Sequence, residues 1–557
     1  MNNFNFAKYN KIVGWLAFAI ALLSYSLTVE PTASFWDAGE YISTSSKLEI
    51  GHPPGAPLYQ MLGAFFSIFA PDSTYVALCV NFMSCLASAF TVLFMCWSIS
   101  LLLLKLLKRN KEVVSTTDHI AILSASFIGA TAFGFTDSFW FSAVEAEVYA
   151  MAMFMFSALF YTALLWERDM FKPRGNRWLM LICFIVGLSF GVHFMALLAI
   201  PAIGFLYFFK NYKKITIKNF ILANIIVVGV LMFIFKFLLP YTLSFFGYAE
   251  VFFVNTFGLP FNSGTIIAGI VFIAVFYYLL SYTRKKSYYQ LNTLILSILF
   301  IFIGFSSWLM LPIRANAGTT INENNPNNAR ELLAYYNREQ YPETHLFYGP
   351  QFTEIFGGLD AQNPYIDGKP NYEKDEESGK YVIVNDWKNS VQNSEDRHKV
   401  FLPRMWSTDH IVNYMQFTGP LEFQVKPEYA DNQELQQAVA QFKSDYAQGR
   451  MDNEGFQSTL MRLRQYINVN PPSFADNLRY MFDFQFGYMY WRYFMWNFTG
   501  RQDDIQGKYD DLHGNWLSGI SFIDEARLGP QDNLPSDALD LSLIHISEPT
   551  RQAEISY

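Results

Sequence analysis

Most of the first 312 residues lie in apolar runs that have to sit in lipid, and this constrains the fold more than any other feature. A helix needs about 20 apolar residues to cross a bilayer, and a helix satisfies its own backbone there. By that rule we count about nine spans, 12–29, 76–104, 120–136, 139–166, 178–194, 195–209, 220–241, 264–282 and 291–312. The run 58–70 is too short to cross and reads as an interfacial or re-entrant helix. No small-residue cleavage site follows the first run, and Pro31 and an acidic loop come instead, so it reads as an uncleaved span.

The overall content of 52% hydrophobic residues hides an abrupt change near residue 312. Residues 313–540 are acidic and rich in Tyr and Asn. They read as a separate, mixed, mainly helical domain, with helices over 433–448 and 453–467 and an isolated strand at 381–384. The aromatic run 488–498 is expected on the membrane or packed on the spans. A net charge of −8 with no basic stripe excludes nucleic acid as a partner. Cys79, Cys85, Cys96 and Cys183 all fall in apolar runs, so no disulfide braces the polar half.

Basic residues set the orientation. With nine spans, Lys8 and Lys11, 105–111, 168–177, 210–218 and 284–286 fall on one side, which is then the cytoplasm. The loop 30–75, the Asp137 and His193 turns, 243–262 and everything after Arg314 fall on the other, periplasmic in a two-membrane bacterium. The expected setting is therefore a bacterial inner membrane, with the N-terminus cytoplasmic.

Ionisable groups in or beside spans are costly and mark function by default. Here Glu40, Glu49, His52, Asp137, Glu145, Glu147 and His193 gather on the external side. In the first external loop Asp37 and Glu40 are three apart, on one face if helical, and either could act as a general base. Residues 43–50 continue a helical pattern with Gly51 as the stop, and His52-Pro-Pro-Gly55 is a stiff turn presenting an imidazole. The bland alternative is that Asp37 caps a helix and His52 faces headgroups. Glu145 and Glu147 are read inside the span 139–166, near its external end. Two apart on a helix, they point in different directions, so at most one can face the Asp37 loop. His193 ends a span as a base, a ligand or a helix-end hydrogen bonder. Arg314, external against the positive-inside trend, suits a lipid phosphate or a headgroup.

Four motifs, Phe35-Trp-Asp-Ala-Gly-Glu-Tyr41, Gly51-His-Pro-Pro-Gly-Ala-Pro-Leu-Tyr59, Glu145-Ala-Glu-Val-Tyr149 and Pro312-Ile-Arg-Ala-Asn316, resemble a family of Bacteroidota inner-membrane proteins long described only as a domain of unknown function. That family is related to the animal O-mannosyltransferase acting on plexin-type receptors. The likeness extends to about Pro535, through the stretch 487–500 and Gly529-Pro-Gln-Asp532.

The resemblance implies a GT-C glycosyltransferase that takes a sugar, mannose first among candidates, from a polyprenyl-phosphate carrier. The acceptor would be Ser or Thr of a periplasmic or exported protein, with inversion at the anomeric carbon. It places Asp37, with Glu40 beside it, in the catalytic role and Arg314 on the lipid phosphate. His52, Glu145, Glu147 and His193 stay substrate-binding candidates by position. No cofactor beyond the lipid-linked donor is implied, and a divalent metal is left open. The competing readings are a lipid or surface-glycan acceptor on the same fold, or a transporter of lipid-linked sugars. A transporter calls for mid-membrane charges and repeated halves, neither of which is evident. Residues 541–557 resemble adaptor read-through, and no function is attached to His545, Glu548 or Arg551.

Overall fold

The computed structural model describes residues 4–543 apart from 112, 342–344, 369, 387, 497–498, 503–511 and 531–540. It divides into two compact units, one formed chiefly by Met1–Tyr341 and one built from Pro342–Glu376 and Tyr381–Ile546.

The first unit is all helical. Its elements are α1 (Phe6–Leu27), α2 (Ala38–Lys47), α3 (Pro57–Ser67), α4 (Val76–Asn110), α5 (Thr116–Gly134), α6 (Asp137–Ala143), α7 (Val148–Asp169) and α8 (Asn176–Ser189). There follow α9 (Ile200–Asn211), α10 (Ile217–Met232), α11 (Leu239–Phe257), α12 (Ser263–Lys285), α13 (Tyr289–Phe305), α14 (Met310–Asn316) and α15 (Ala329–Asn337). Local chemistry starts several of them. Ser115 with Asp118, and Thr216 with Asn219, form capping boxes that open α5 and α10. The buried Glu250 carboxylate accepts backbone N–H bonds from Asn262 (2.6 Å) and Thr265 (2.7 Å), serving α12 in place of an N-cap side chain.

Among the described residues seven helical segments are long and apolar enough to cross a membrane, or eight if the pair α5–α6, bent by 69°, counts as one. The chain is thus a polytopic helical membrane protein, with fewer full-length spans than the nine expected. The count falls from nine to seven because α5 qualifies only together with α6 and α8 is too short. Three places also depart from the expected boundaries. First, the region 139–166 is not one helix: α6 ends at Ala143 and α7 starts at Val148, so Glu145 and Glu147 lie in the link and not inside a span. Second, α8 has 14 residues and falls short of a crossing, although the break expected near residue 194 is present. Third, most of 243–262, expected on the external side, is helical. Helix continues from Ile217 to Phe257 through a π-helical stretch at Phe233–Leu238. Those 41 residues reach roughly 60 Å, about twice the hydrocarbon thickness.

Close approach of backbones welds α8 to α13. A Cβ on Gly187 would lie 2.1 Å from the Ile301 carbonyl oxygen, and one on Gly304 would lie 2.4 Å from that of Phe184, so only glycine fits either position. At one end of the spans, Lys105 of α4 and Lys210 of α9 both pair with Glu167 of α7, at 3.1 and 3.0 Å. Three of the cation-bearing segments, 105–111, 168–177 and 210–218, therefore start from helices tied together at one carboxylate.

The second unit has a core of Phe352, Met405, Ile411, Tyr414, Phe423 and Phe456. Helices Gln433–Ala447 and Asn453–Leu463 occur where expected, the second ending four residues early because Ile467–Val469 pairs with Phe423–Val425. The strand at 381–384 is not isolated: it belongs to Lys380–Asn385, which pairs with Asn371–Asp375. In the aromatic stretch Met481–Trp491 and Arg492–Trp496, Phe482, Tyr490 and Tyr493 are more than half exposed. Of the expected tail, Leu541–Leu543 forms a strand along Gly500–Gln502, and His545, Glu548 and Arg551 lie outside the described residues.

Candidate active site

The loop that follows α1 is held in place from three directions. From α4, the buried Asn81 amide donates to the carbonyls of Glu30 (2.6 Å) and Thr32 (2.8 Å). From the α6–α7 link, Glu145 accepts a 2.7 Å bond from the Ser34 hydroxyl, and the Glu147 carboxylate accepts the Asp37 backbone N–H. Both carboxylates therefore engage the Asp37 loop. This overturns the expectation that at most one could, because the link is non-helical and helical directions do not apply to it.

The third hold comes from the end of the last span and the segment after it. Arg314 Nε and Nη2 donate to the carbonyls of Leu48 (2.6 Å) and Lys47 (3.2 Å), the open C-terminal end of α2. The buried Glu49 accepts the Thr320 N–H, Ile50 bridges the chain at Asn322, and the buried Tyr335 hydroxyl donates to Gly51 O at 2.6 Å. The helix ends at Lys47 with Leu48 left-handed, so Gly51 is not its stop. Gly51 instead leaves room for a neighbour, since a Cβ there would sit 2.5 Å from Glu40 Oε1.

That space lets Glu40 take hold of His52. Glu40 Oε1 accepts the His52 backbone N–H at 2.7 Å, and Oε2 lies 2.9 Å from Nδ1. The opposite ring nitrogen, Nε2, faces Asp37 Oδ2 at 3.9 Å. Asp37 occupies the N-cap position of α2, but its carboxylate makes no capping bond and is 57% exposed. The bland reading of Asp37 as a cap therefore does not hold. Phe35 and the left-handed Trp36 flank it, 74% and 89% exposed.

The charges are coupled. Hydrogen bonding to Glu40 raises the His52 pKa above its ordinary value, against the opposing effect of burial. Burial would raise Glu40, but the bonds from His52 outweigh it and lower its pKa. Glu147 is pushed up to about 7, by burial first and then by the charges of Asp37 and Glu145. Burial likewise raises Glu145 and lowers His193. His193 accepts the Met195 N–H at 3.1 Å and lies against the Tyr149 ring, which is the helix-end role. Among the described residues Asp37, Glu40 and His52 form a group whose ligand atoms lie within 4.8 Å of one another and could hold a metal ion. The mutual bond of Glu40 and His52 competes with that use.

The structure thus brings Asp37, Glu40, His52, Glu145 and Glu147 to one loop and ties Arg314 to the same loop. Of the supporting residues, Glu49 belongs to the ionisable group singled out in the sequence, whereas Ser34, Asn81 and Tyr335 carry no sequence pattern that marks them as partners, since each finds its partner through tertiary contact.

Residues 37–216 match the protein O-mannosyl-transferase TMEM260 N-terminal domain family, a stretch that begins at Asp37 and includes Glu40, His52, Glu145, Glu147 and His193 but not Arg314. Residues 342–482 match a family of unknown function, DUF8416. A protein O-mannosyl-transferase, tmem260, of Dictyostelium discoideum is 29% identical over 153 residues, 26% of this chain. The match spans 17% of the length of that relative. No solved structure matches.

Proposed function

We propose that this protein is a glycosyltransferase of GT-C type that moves a sugar, mannose first among candidates, from a polyprenyl-phosphate carrier to Ser or Thr hydroxyls of exported proteins. The reaction takes place on the external, periplasmic face of a bacterial inner membrane. The likeness of 37–216 to an O-mannosyl-transferase domain supports the reaction class. The observation that carries the site is Asp37: an exposed carboxylate, free of the capping bond its position invites, beside an imidazole that a second carboxylate holds in place.

In this reading Asp37 takes the proton of the acceptor hydroxyl as its oxygen attacks the anomeric carbon. The bond from that carbon to the phosphate oxygen breaks with inversion, and the carrier leaves as the phosphate. His52, its Nδ1 bound to Glu40, orients the Asp37 carboxylate and is not itself the base. Arg314 spends two N–H donors on α2, and its others meet the departing phosphate. Phe35 and Trp36, exposed at the mouth, offer apolar faces to sugar or acceptor.

The test is sugar transfer to a Ser/Thr peptide in membranes supplied with polyprenyl-phosphate mannose, comparing wild type with Asp37→Asn. Loss of roughly 10²–10⁴-fold in a folded, inserted variant supports the assignment. Undiminished transfer moves the base to Glu40 or Glu145, and no transfer by wild type from any lipid-linked sugar rejects the function.

A further inference from the structure

Beside the Lys105–Glu167–Lys210 junction, a cavity of about 360 Å³ opens between α7, α8, α9 and α10. Its inner wall is buried aliphatic surface, including Ile182, Val186, Ile203 and Val227. Its outer edge is apolar and exposed: Tyr207, Leu222 and Ile226 are 47%, 53% and 56% accessible. No charged side chain lines it among the described residues. It is more than twice the ~150 Å³ of an engineered apolar cavity that stays dry and takes up benzene. In the helix Ile217–Phe257, which forms the open side, only 11% of the most apolar window is buried. The opening therefore faces hydrocarbon.

Two features say what kind of molecule fits. Trp166 lines the cavity and is 6% exposed, and its indole N–H has no hydrogen-bond partner among the described residues. A buried donor without an acceptor is costly, so an acceptor brought by a ligand would relieve it. At the mouth, Tyr212 and Asn219 belong to the lining, and the chain at that point carries Lys213, Lys214 and Lys218, all exposed. Lys210 is left out of this count because Glu167 holds it at 3.0 Å.

We propose that this cavity holds one acyl chain of an anionic phospholipid. The chain fills the aliphatic interior, an ester carbonyl accepts the Trp166 indole N–H, and the headgroup meets Lys213, Lys214 and Lys218. Basic pockets between spans on the cytoplasmic side bind anionic headgroups in this way. A polyprenyl phosphate has no ester carbonyl for Trp166, and a zwitterionic phospholipid carries no net charge for the lysines. The site lies away from the Asp37 loop, and its test does not depend on sugar transfer.

The test is native mass spectrometry of the purified full chain with added phosphatidylglycerol, phosphatidylcholine or polyprenyl phosphate. One phosphatidylglycerol is expected to stay bound at least about tenfold more strongly than phosphatidylcholine, because basic residues at a membrane surface attract anionic headgroups. The variant K213Q/K214Q/K218Q, which touches only exposed side chains, should lose that preference. Trp166→Phe should weaken retention of both phospholipids and leave their ratio intact. Equal retention of the two phospholipids, an unchanged preference in the lysine variant, or displacement by equimolar polyprenyl phosphate would overturn the proposal.

Discussion

Glu40 grips His52 at two points, the backbone N–H at 2.7 Å and Nδ1 at 2.9 Å, so one carboxylate sets both the path of the loop and the direction of the ring. Glu40→Gln keeps the shape but replaces one acceptor oxygen with a donor that opposes Nδ1–H. A hydrogen bond to a charged group contributes about 1.5–3 kcal/mol, so transfer should fall roughly ten- to hundredfold in membrane assays. Transfer equal to wild type would mean that the orientation of His52 is irrelevant to the reaction.

Gly51→Ala tests the same grip without removing a polar group. The new Cβ would meet Glu40 Oε1 at 2.5 Å and force the carboxylate away from His52. Overpacking of this kind costs about 1–3 kcal/mol. We expect a transfer defect comparable to that of Glu40→Gln and little further loss in the double variant, because both changes break one contact.

Glu147 sets a pH dependence. Its folded pKa, about 7, lies above the ordinary 4.5, so the folded state holds a proton that the unfolded state gives up. The stabilisation is fully present below about 4.5 and is lost as pH rises through about 7. At 1.36 kcal/mol per unit, the loss is on the order of 3 kcal/mol. Thermal unfolding of the purified protein should therefore occur at a lower temperature at pH 8 than at pH 6, with the difference much reduced in Glu147→Gln. A Glu147→Gln protein that keeps the full difference would place the titration elsewhere.

Arg314→Lys preserves charge and loses the planar fork that reaches Leu48 and Lys47. If its remaining donors also meet the carrier phosphate, KM for the lipid-linked sugar should rise about tenfold, the equivalent of one lost charge-assisted bond. A fall in kcat alone, with KM unchanged, would leave Arg314 only the role of holding α2.

Chelation should leave transfer within about twofold of the untreated level. Both Glu40 oxygens and His52 Nδ1 are already engaged with each other, and a metal at the Asp37–Glu40–His52 group would have to break those bonds. Loss of transfer in EDTA, restored by Mg²⁺ or Mn²⁺, would show the opposite.

The expected nine runs all correspond to helical segments, because hydropathy is a local property that adds along the chain. One error arose where polar contacts intervene. The region 139–166 reads as one span by hydropathy, but Ser34 and the Asp37 N–H offer Glu145 and Glu147 partners, and the helix opens between Ala143 and Val148. Helix geometry then misjudged which carboxylates could face the loop.

By itself the sequence determined that the first part of the chain lies in a membrane, where its basic segments fall, and which loop carries carboxylates and an imidazole. Length, apolarity and charge are read residue by residue, and lipid responds to them directly. Only the tertiary structure decided that Glu40, not Asp37, holds His52, that both Glu145 and Glu147 support the loop, and that Arg314 closes α2 across 266 residues of chain. Those pairings depend on directional bonds between distant segments, brought within about 3 Å by helix packing, and no local spacing encodes them.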